Sequence, residues 1–311
     1  MIAVLRTTWP LLLGILMLMV GNGMQGTLLG IRGGIEGIPT FQMSIAMSGY
    51  YAGFLLGSLS VPALIKNVGH VRVFAALGSM ISSVLVLYSV EPNWIWWTLL
   101  RVVIGYCFCG VYITSESWLN AGSTNENRGQ TLSAYMIVQL LGIVAAQALL
   151  NVSDPGGYTL FIVASVLVSF AFMPILLSAR PAPQFQTIKR MTFRQLYRAS
   201  PLGCVGIFLI GGVFAVLSGM SSVWGAAIGL SVAQISIFVA ASYAGGLVMQ
   251  YPIGWISDRY DRRKLVLMLS AVGAATGVAV LAAQPGTLGL VVAGALMGGL
   301  VNPIYALLLA Y

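Results

Sequence analysis

The feature that most limits this chain is a near-unbroken succession of apolar runs, each about 20 residues long. That is the length an α-helix needs to cross ~30 Å of hydrocarbon at a rise of ~1.5 Å per residue. Ten runs can be placed, near residues 9–30, 43–65, 73–90, 95–117, 132–150, 159–178, 202–223, 233–253, 265–283 and 288–309. A chain that is 59% hydrophobic and 7% charged, with a mean hydropathy of +0.93, cannot enclose so much apolar surface in a water-soluble domain. The bilayer is its solvent. Backbone polar groups in hydrocarbon must be satisfied within their own segment, so the expected fold class is an all-α membrane protein. The first run is too long for a cleaved signal peptide and no small-residue cleavage pattern follows it, so it is expected to remain as span 1.

A net charge of +8 would suit a nucleic-acid partner, but the basic residues are distributed by topology, and no such partner is expected. With the N-terminus inside, Arg6, Lys66, Arg72, Arg128, Arg180, Lys189, Arg190, Arg194, Arg198, Arg259, Arg262, Arg263 and Lys264 share the cytoplasmic side, 13 of the 15 basic residues. Arg32 alone falls outside, and Arg101 lies within a span. Both termini are therefore expected in the cytoplasm. Cys107, Cys109 and Cys204 lie in apolar runs as small apolar residues. Cys107 and Cys109 are two apart and point to different helix faces, so no disulfide, metal or redox pair is expected.

Comparison of the chain with itself reveals a repeat at an offset of 192: Gln42, Ser44, Tyr51, Ala52 and Gly53 recur as Gln234, Ser236, Tyr243, Ala244 and Gly245. Just upstream, Gly33, Gly37 and Ile38 recur as Gly225, Gly229 and Leu230. Six spans separate the copies, an even number, so both copies enter the membrane in the same direction and the repeat is parallel. With one residue of drift, Gly105, Tyr112 and Trp118 correspond to Gly298, Tyr305 and Tyr311. The expected organisation is a six-helix bundle over residues 1–178, a basic linker over 179–200 and a second bundle over 201–311 holding spans 7–10. The linker carries Arg180, Pro181, Pro183, Lys189, Arg190, Arg194 and Arg198, which suits a short amphipathic helix on anionic headgroups. Counterparts of spans 5 and 6 do not appear by Tyr311, and the repeat leads us to expect about 60 further residues in the intact product, giving six helices in each half.

After span 8 the chain reads Gly254-Trp255-Ile256-Ser257-Asp258-Arg259-Tyr260-Asp261-Arg262-Arg263-Lys264. This resembles the major facilitator signature G-x-x-x-D-R-x-G-R-R-K. In that motif a small residue lets helices approach, the Asp sits at a helix end where it can pair with Arg, and the basic run holds the loop inside. Asp261 stands where the second glycine is usual. The first-half copy, Pro62, Lys66, Asn67, Gly69, His70 and Arg72, is degraded, with Lys66 in place of Asp. His70, the one histidine, is read as a loop residue near the lipid surface. Arg101-Val102-Val103-Ile104-Gly105 resembles the superfamily's second motif, R-x-x-x-G. An Arg at membrane depth is expected to face a cavity or a partner, unless it snorkels to an interface marked by Trp94, Trp96 and Trp97.

Glu116 lies 15 residues beyond Arg101, about 22 Å along the helix, and is expected to pair with a cytoplasmic base such as Arg128. Asn22, Gln25, Gln139, Gln147, Gln250 and Asn302 fall in spans 1, 5, 8 and 10, whereas spans 3, 6 and 9 carry no Asn, Gln or charge. Amides in a bilayer need partners or water, so the spans that bear them should surround the aqueous path, each amide serving as packing glue or as a ligand contact. Candidate path residues are Asn22, Gln25, Arg101, Tyr112, Gln139, Gln250, Asn302 and Tyr305, and candidate gating residues are Gly254, Asp258, Arg259, Arg262 and Arg263. Gly21, Gly23, Gly26, Gly298 and Gly299 would permit close crossing or local unwinding, and Pro303 a kink in span 10.

The resemblance covers topology, repeat and two motifs across the whole chain, and Glu116-Ser117-Trp118-Leu119-Asn120 with Arg128-Gly129 looks like a bacterial branch of permeases. It implies a secondary transporter of the inner membrane, a monomer when complete, moving a small solute by alternating access, driven by an ion gradient such as H⁺ or by the solute's own gradient. The other reading is a scaffold or assembly factor that keeps the fold without transport, or an inactive truncated fragment. No G-x-x-x-x-G-K-[ST] loop supports nucleotide-driven pumping. With one His and seven acids, only Glu116 of them within a span, neither an enzyme active site nor a cofactor is expected.

Overall fold

In the computed structural model of the chain, residues 2–123, 128–177, 192–257 and 259–309 are described. Ten helical segments among them are long and apolar enough to cross a membrane. The first six are α1 (Ile2–Ile35), α2 (Thr40–Val68), α3 (His70–Leu87), α4 (Trp94–Ala121), α5 (Arg128–Leu149) and α6 (Thr159–Phe170) followed by the short α7 (Met173–Leu176). A short α8 (Phe193–Ala199) precedes α9 (Pro201–Ala215), which runs through a π-turn at Val216–Met220 into α10 (Ser221–Ala227) as one span. The last three are α11 (Val232–Ser257), α12 (Arg262–Ala283) and α13 (Thr287–Leu309).

The chain divides into two compact units: Met1–Thr187 with Ser222–Gly229, and Ile188–Ser221 with Leu230–Tyr311. In the first, α2 packs on α4, α1 on α5, and α3 on α4 and α6; in the second, α11 packs on α13. The outward faces are apolar, with Leu55, Leu56 and Leu59 of α2 and Phe208 and Leu209 of α9 all exposed, as a lipid-facing surface requires.

The repeat is legible in backbone geometry. Gly37 and Gly229, one repeat apart, both adopt positive φ, at 68° and 79°, in the turns that end α1 and α10. A Cβ on Gly53 would fall on the Val102 carbonyl, and one on Gly105 on the Tyr50 carbonyl. In the second unit Gly245 meets the Ala295 carbonyl and Gly298 the Ser242 carbonyl in the same way. Reciprocal glycines thus set the close approach of α2 to α4 and of α11 to α13, where the attraction is van der Waals packing between backbones.

Caps explain several boundaries. Asn93 opens α4 by accepting from the Ile95 N–H at 2.8 Å. Thr192 and Gln195 form a reciprocal capping box on α8, and Ser200 caps α9 ahead of Pro201. In α8, Leu196 and Tyr197 are exposed beside Arg194 and Arg198; 178–191 lie outside the described residues.

Some expectations change. The run at 159–178 is interrupted at Ala171 and Phe172, because Pro174 in α7 has no N–H to continue the ladder. Gly21 and Gly23 serve close packing in an unbroken α1, Gly21 against Val168 and Gly23 against Ile143 and Ala146, whereas nothing lies within 4 Å of a Cβ on Gly26. Local widening occurs instead at the π-turn of span 7. His70 is not a lipid-surface loop residue. It is the first residue of α3, 2% exposed, with Nε2 3.0 Å from Ser117 Oγ and the ring 6.1 Å from that of Trp118. Trp97 is buried too, its Nε1 donating to Tyr88 O at 3.2 Å, so it fastens α4 to the end of α3 where an interface anchor was expected.

Candidate functional site

Arg101 lies two turns inside α4 and does not snorkel. Its side chain is 3% exposed, Nη1 donates to Gln25 Oε1 at 2.7 Å, Nη2 reaches Met47 O at 3.5 Å, and the guanidinium carbon stands 5.0 Å from the Tyr50 ring centroid. Gln25 Nε2 donates in turn to Asn22 Oδ1 at 3.2 Å, and Asn22 Nδ2 to Tyr112 Oη at 3.1 Å. Tyr112 Oη rests on Met19 Sδ at 3.4 Å. The connected chain leaves α4 at Arg101, passes along α1 through two amides on one helix face, and returns to α4 at Tyr112, about 16 Å further along the axis.

Aromatic rings flank this chain on the α2–α4 side. Tyr50 lies 6.4 Å from Phe108, Phe108 6.4 Å from Tyr112, and Tyr112 6.1 Å from Phe54. One turn beyond Tyr112, Glu116 Oε1 accepts from Tyr135 Oη of α5 at 3.4 Å. Tyr135 is a partner placed on Glu116; the Arg128 side chain, expected to pair with it, is outside the described groups. Gln139 is half-buried one turn further along α5. Gln147 donates to Gly23 O and Ile143 O at 3.4 Å, which makes it packing glue between α5 and α1.

The charge balance around Arg101 is unusual. Among the described residues the one ion pair joins Arg32 to Glu36 at 2.6 Å, and no carboxylate lies within ion-pair reach of Arg101. Its Nε is buried without a partner. A guanidinium held by one amide, one long carbonyl contact and a ring carries a desolvation cost that neutral acceptors offset only in part.

The second unit does not copy this chain. Gly294, Leu217 and Phe214 occupy the positions equivalent to Arg101, Gln25 and Asn22. Asn302 Nδ2 donates to Gly298 O of its own helix at 3.1 Å, and Tyr305 is 46% exposed. Gln250 lines a separate cleft of about 130 Å³ with Gly254, Ser257, Arg262 and Pro303. Among the described residues no hydrogen bond joins Gln250, Asn302 and Tyr305.

In the loop between α11 and α12, Arg259 stacks on Trp255 at 3.8 Å and donates from Nη1 to Trp255 O at 3.0 Å. Asp261 caps α12, its Oδ1 accepting from the Arg263 and Lys264 N–H groups at 2.8 and 3.4 Å. The carboxylate that replaces a motif glycine thus acts as a helix cap. Asp258, the gating candidate, lies outside the described residues.

Sequence reasoning missed Tyr50 and Tyr135. Tyr50 adjoins the repeated Tyr51 but has Ser242 as its own counterpart, so the repeat did not mark it. Tyr135 sits one turn before Gln139 on the amide-bearing face of α5, which was a usable signal.

Comparison with known proteins agrees with this geometry. The family model of the Major Facilitator Superfamily matches residues 11–311. The chain is 28% identical over 236 residues to an uncharacterized MFS-type transporter, YfkF, of Bacillus subtilis, covering 73% of this chain and 60% of that one. It is 28% identical over 270 residues to the uncharacterized MFS-type transporter YcaD of Escherichia fergusonii, covering 83% and 68%. The chain therefore spans about three fifths to two thirds of the length of these relatives. Among solved structures, the nucleoside transporter NupG superposes with a TM-score of 0.75 at 14% identity, covering 96% of this chain and 80% of that one. A bacterial homologue of the human lysosomal transporter Spinster, inward-facing and occupied, gives 0.75 at 15% identity over 96% and 73%. These likenesses are of fold alone. With ten apolar spans, a parallel repeat carried in its glycine contacts and a family model matched over nearly its whole length, this multi-pass membrane chain belongs to the major facilitator superfamily.

Proposed function

We propose that the chain forms the core of a secondary transporter that moves a small solute across a bacterial inner membrane by alternating access between its two bundles, with both termini cytoplasmic. The observation that carries this reading is the Arg101, Gln25, Asn22 and Tyr112 chain. A bundle that needed only to be solid would fill the α1–α4 seam with apolar side chains; a continuous polar series at membrane depth is expensive unless solute or water uses it. Gly254, Asp258, Arg259, Arg262 and Arg263 serve in this reading as the cytoplasmic gate between α11 and α12. Glu116 with Tyr135 is the group best suited to a coupling proton, being the one acid within a span.

The test is counterflow in proteoliposomes. Purified protein should accelerate exchange of at least one labelled solute from a panel of sugars, nucleosides, amino acids and organic acids. Asn22→Leu combined with Tyr112→Phe should abolish that exchange while the protein stays monodisperse. A folded protein that moves nothing in the panel would favour a scaffold that has kept the fold without transport.

A further inference from the structure

A cleft of about 130 Å³ opens in the second unit where the end of α11, the start of α12 and α13 meet. That is well above the ~10–15 Å³ that a single water needs. The repeat argues that the space is not a by-product of the fold. Ile253, Ser257, Arg262 and Pro303 in its lining correspond to Val61, Ile65, His70 and Gly110 of the first unit. There the same place is packed shut: Val61, Ile65 and His70 are at most 2% exposed, and Leu77 and Val61 close over Gly110. In the second unit Gly254 stands where the first has Pro62, and nothing lies within 4 Å of the position its Cβ would take.

The lining has a polar and an apolar part. Gln250 has no hydrogen-bond partner among the described residues, so its amide brings two donors to the cleft. Arg262, which also has a contact within the chain, brings a guanidinium with five N–H donors. Ser257 Oγ donates to Gly254 O at 2.7 Å and keeps its own lone pairs. Residues 258–264 carry four basic and two acidic side chains, a net charge of +2. The N-terminal amides of α12 take no part, since those of Arg263 and Lys264 are bound by Asp261. Opposite the polar groups, Ile253, Pro303 and Leu307 offer apolar surface. Around the cleft Tyr251, Trp255 and Tyr260 are exposed, and such amphipathic rings collect at the depth of lipid headgroups.

We propose that this cleft binds the phosphate of an anionic phospholipid drawn from the leaflet on the side where the basic residues collect. Arg262 and the Gln250 amide hold the phosphate oxygens, the first by a charge-assisted bond, and the apolar wall takes the glycerol end of the lipid. A net positive rim excludes a metal cation, and a wholly apolar guest would leave Gln250 and Arg262 without use. Soluble phosphate shares the headgroup's chemistry, but it has no need of the apolar wall or of the aromatic residues at headgroup depth. The site goes beyond the transporter reading and does not depend on it.

The test uses the purified full chain in a neutral detergent, with dioctanoyl phosphatidylglycerol, dioctanoyl phosphatidylcholine and inorganic phosphate as probes. Bound copies are counted by native mass spectrometry, and melting temperature is followed in parallel. Phosphatidylglycerol should bind as one saturable copy and raise the melting temperature, with phosphatidylcholine weaker by about tenfold and phosphate without effect at the same concentration. Gly254→Leu puts a side chain into the open space, while Arg262→Gln and Gln250→Leu each remove donors; all three should lose the saturable copy. Arg259→Gln should keep it, because that guanidinium lies on Trp255 and is not part of the lining. Should Gly254→Leu fail to fold, the two donor variants decide. The proposal is overturned if phosphatidylcholine binds as well as phosphatidylglycerol, if the folded variants bind undiminished, or if Arg259→Gln loses as much as Arg262→Gln, which would mean general attraction to a basic surface. Equal binding of inorganic phosphate would overturn the lipid as its source. Every readout is independent of counterflow, so failure here leaves the transporter reading intact, and a chain that transports nothing can still show the site.

Discussion

Gly53 of α2 and Val102 of α4 meet with no room for a methyl group between them, and the same relation recurs between Gly245 of α11 and Ala295 of α13. The two pairs are 192 and 193 residues apart, so one packing solution has been used twice, in separate units. Lipid tails are as apolar as side chains, so close backbone approach is what draws these helices together.

Replacing these glycines should therefore invert the usual helix rule. In an open helical position Gly→Ala stabilises by about 0.5–1 kcal/mol, because glycine loses more backbone entropy on folding. Gly211→Ala, where nothing lies within 4 Å of the added carbon, should follow that rule. Gly53→Ala and Gly245→Ala should each destabilise by ~1–3 kcal/mol, since the obstacle is backbone that cannot rotate away. Lying in separate units, the two losses should add. Melting temperatures of the three single variants and the double variant check this; equal melting of Gly53→Ala and Gly211→Ala would refute the packing role.

The α11–α12 loop makes a second case. Asp261→Ala removes the cap from the Arg263 and Lys264 amides and should cost ~1 kcal/mol of local stability, whereas Asp261→Gly, the motif's usual residue, should cost only a few tenths. Hydrogen exchange at the first turn of α12 is the direct measure. Similar protection in wild type and Asp261→Ala would show that the carboxylate does not hold the helix end.

Much of the fold was legible because membranes impose a simple grammar. Span length, the repeat of Gly37 at Gly229 and the glycine pairs all follow from backbone satisfaction and close packing, which depend on residue type alone. Asn22, Gln25, Arg101 and Tyr112 were each visible as polar groups at membrane depth. Their linkage was not, because it depends on the rotation of α1 against α4. His70 was misread for a related reason. A histidine just after Gly69 looks like a loop residue in sequence, and only the packing of α3 against α4 brings Ser117 and Trp118 to it. In the second half, Gln250, Asn302 and Tyr305 were equally visible, yet Asn302 bonds to its own helix and no common chain forms among the described residues. Residue type marks the candidates, and helix rotation decides which of them meet.

Orientation is open to direct labelling. If the basic residues follow the positive-inside rule, Arg194→Cys in α8 should be protected from an impermeant thiol reagent added outside intact cells, and Tyr158→Cys, in the turn before α6, should react. The native thiols give little background, since Cys107 and Cys109 are buried and Cys204 half-buried. The reverse labelling pattern would invert the topology.

The bond between Asn22 and Tyr112 separates packing from path. Tyr112→Phe leaves an amide donor at membrane depth without its acceptor, and Asn22→Leu leaves the phenol with only the Met19 sulfur; each should destabilise by ~1–3 kcal/mol. Removing both partners at once should recover part of that loss, because the Asn22 donor and its Tyr112 acceptor go together and only Gln25 Nε2, which loses Asn22 Oδ1, stays stranded; the double-mutant cycle should give a coupling of about 1 kcal/mol. Stability and transport should part company in the double variant. If the pair were only glue, Asn22→Leu combined with Tyr112→Phe, which makes the seam apolar, would recover transport along with stability. If the pair belongs to the solute path, the double variant should melt closer to wild type than the two single losses summed would put it and still fail in counterflow, because the relay from Gln25 to Tyr112 has lost both of its groups. Restored transport in that variant would assign the chain to packing.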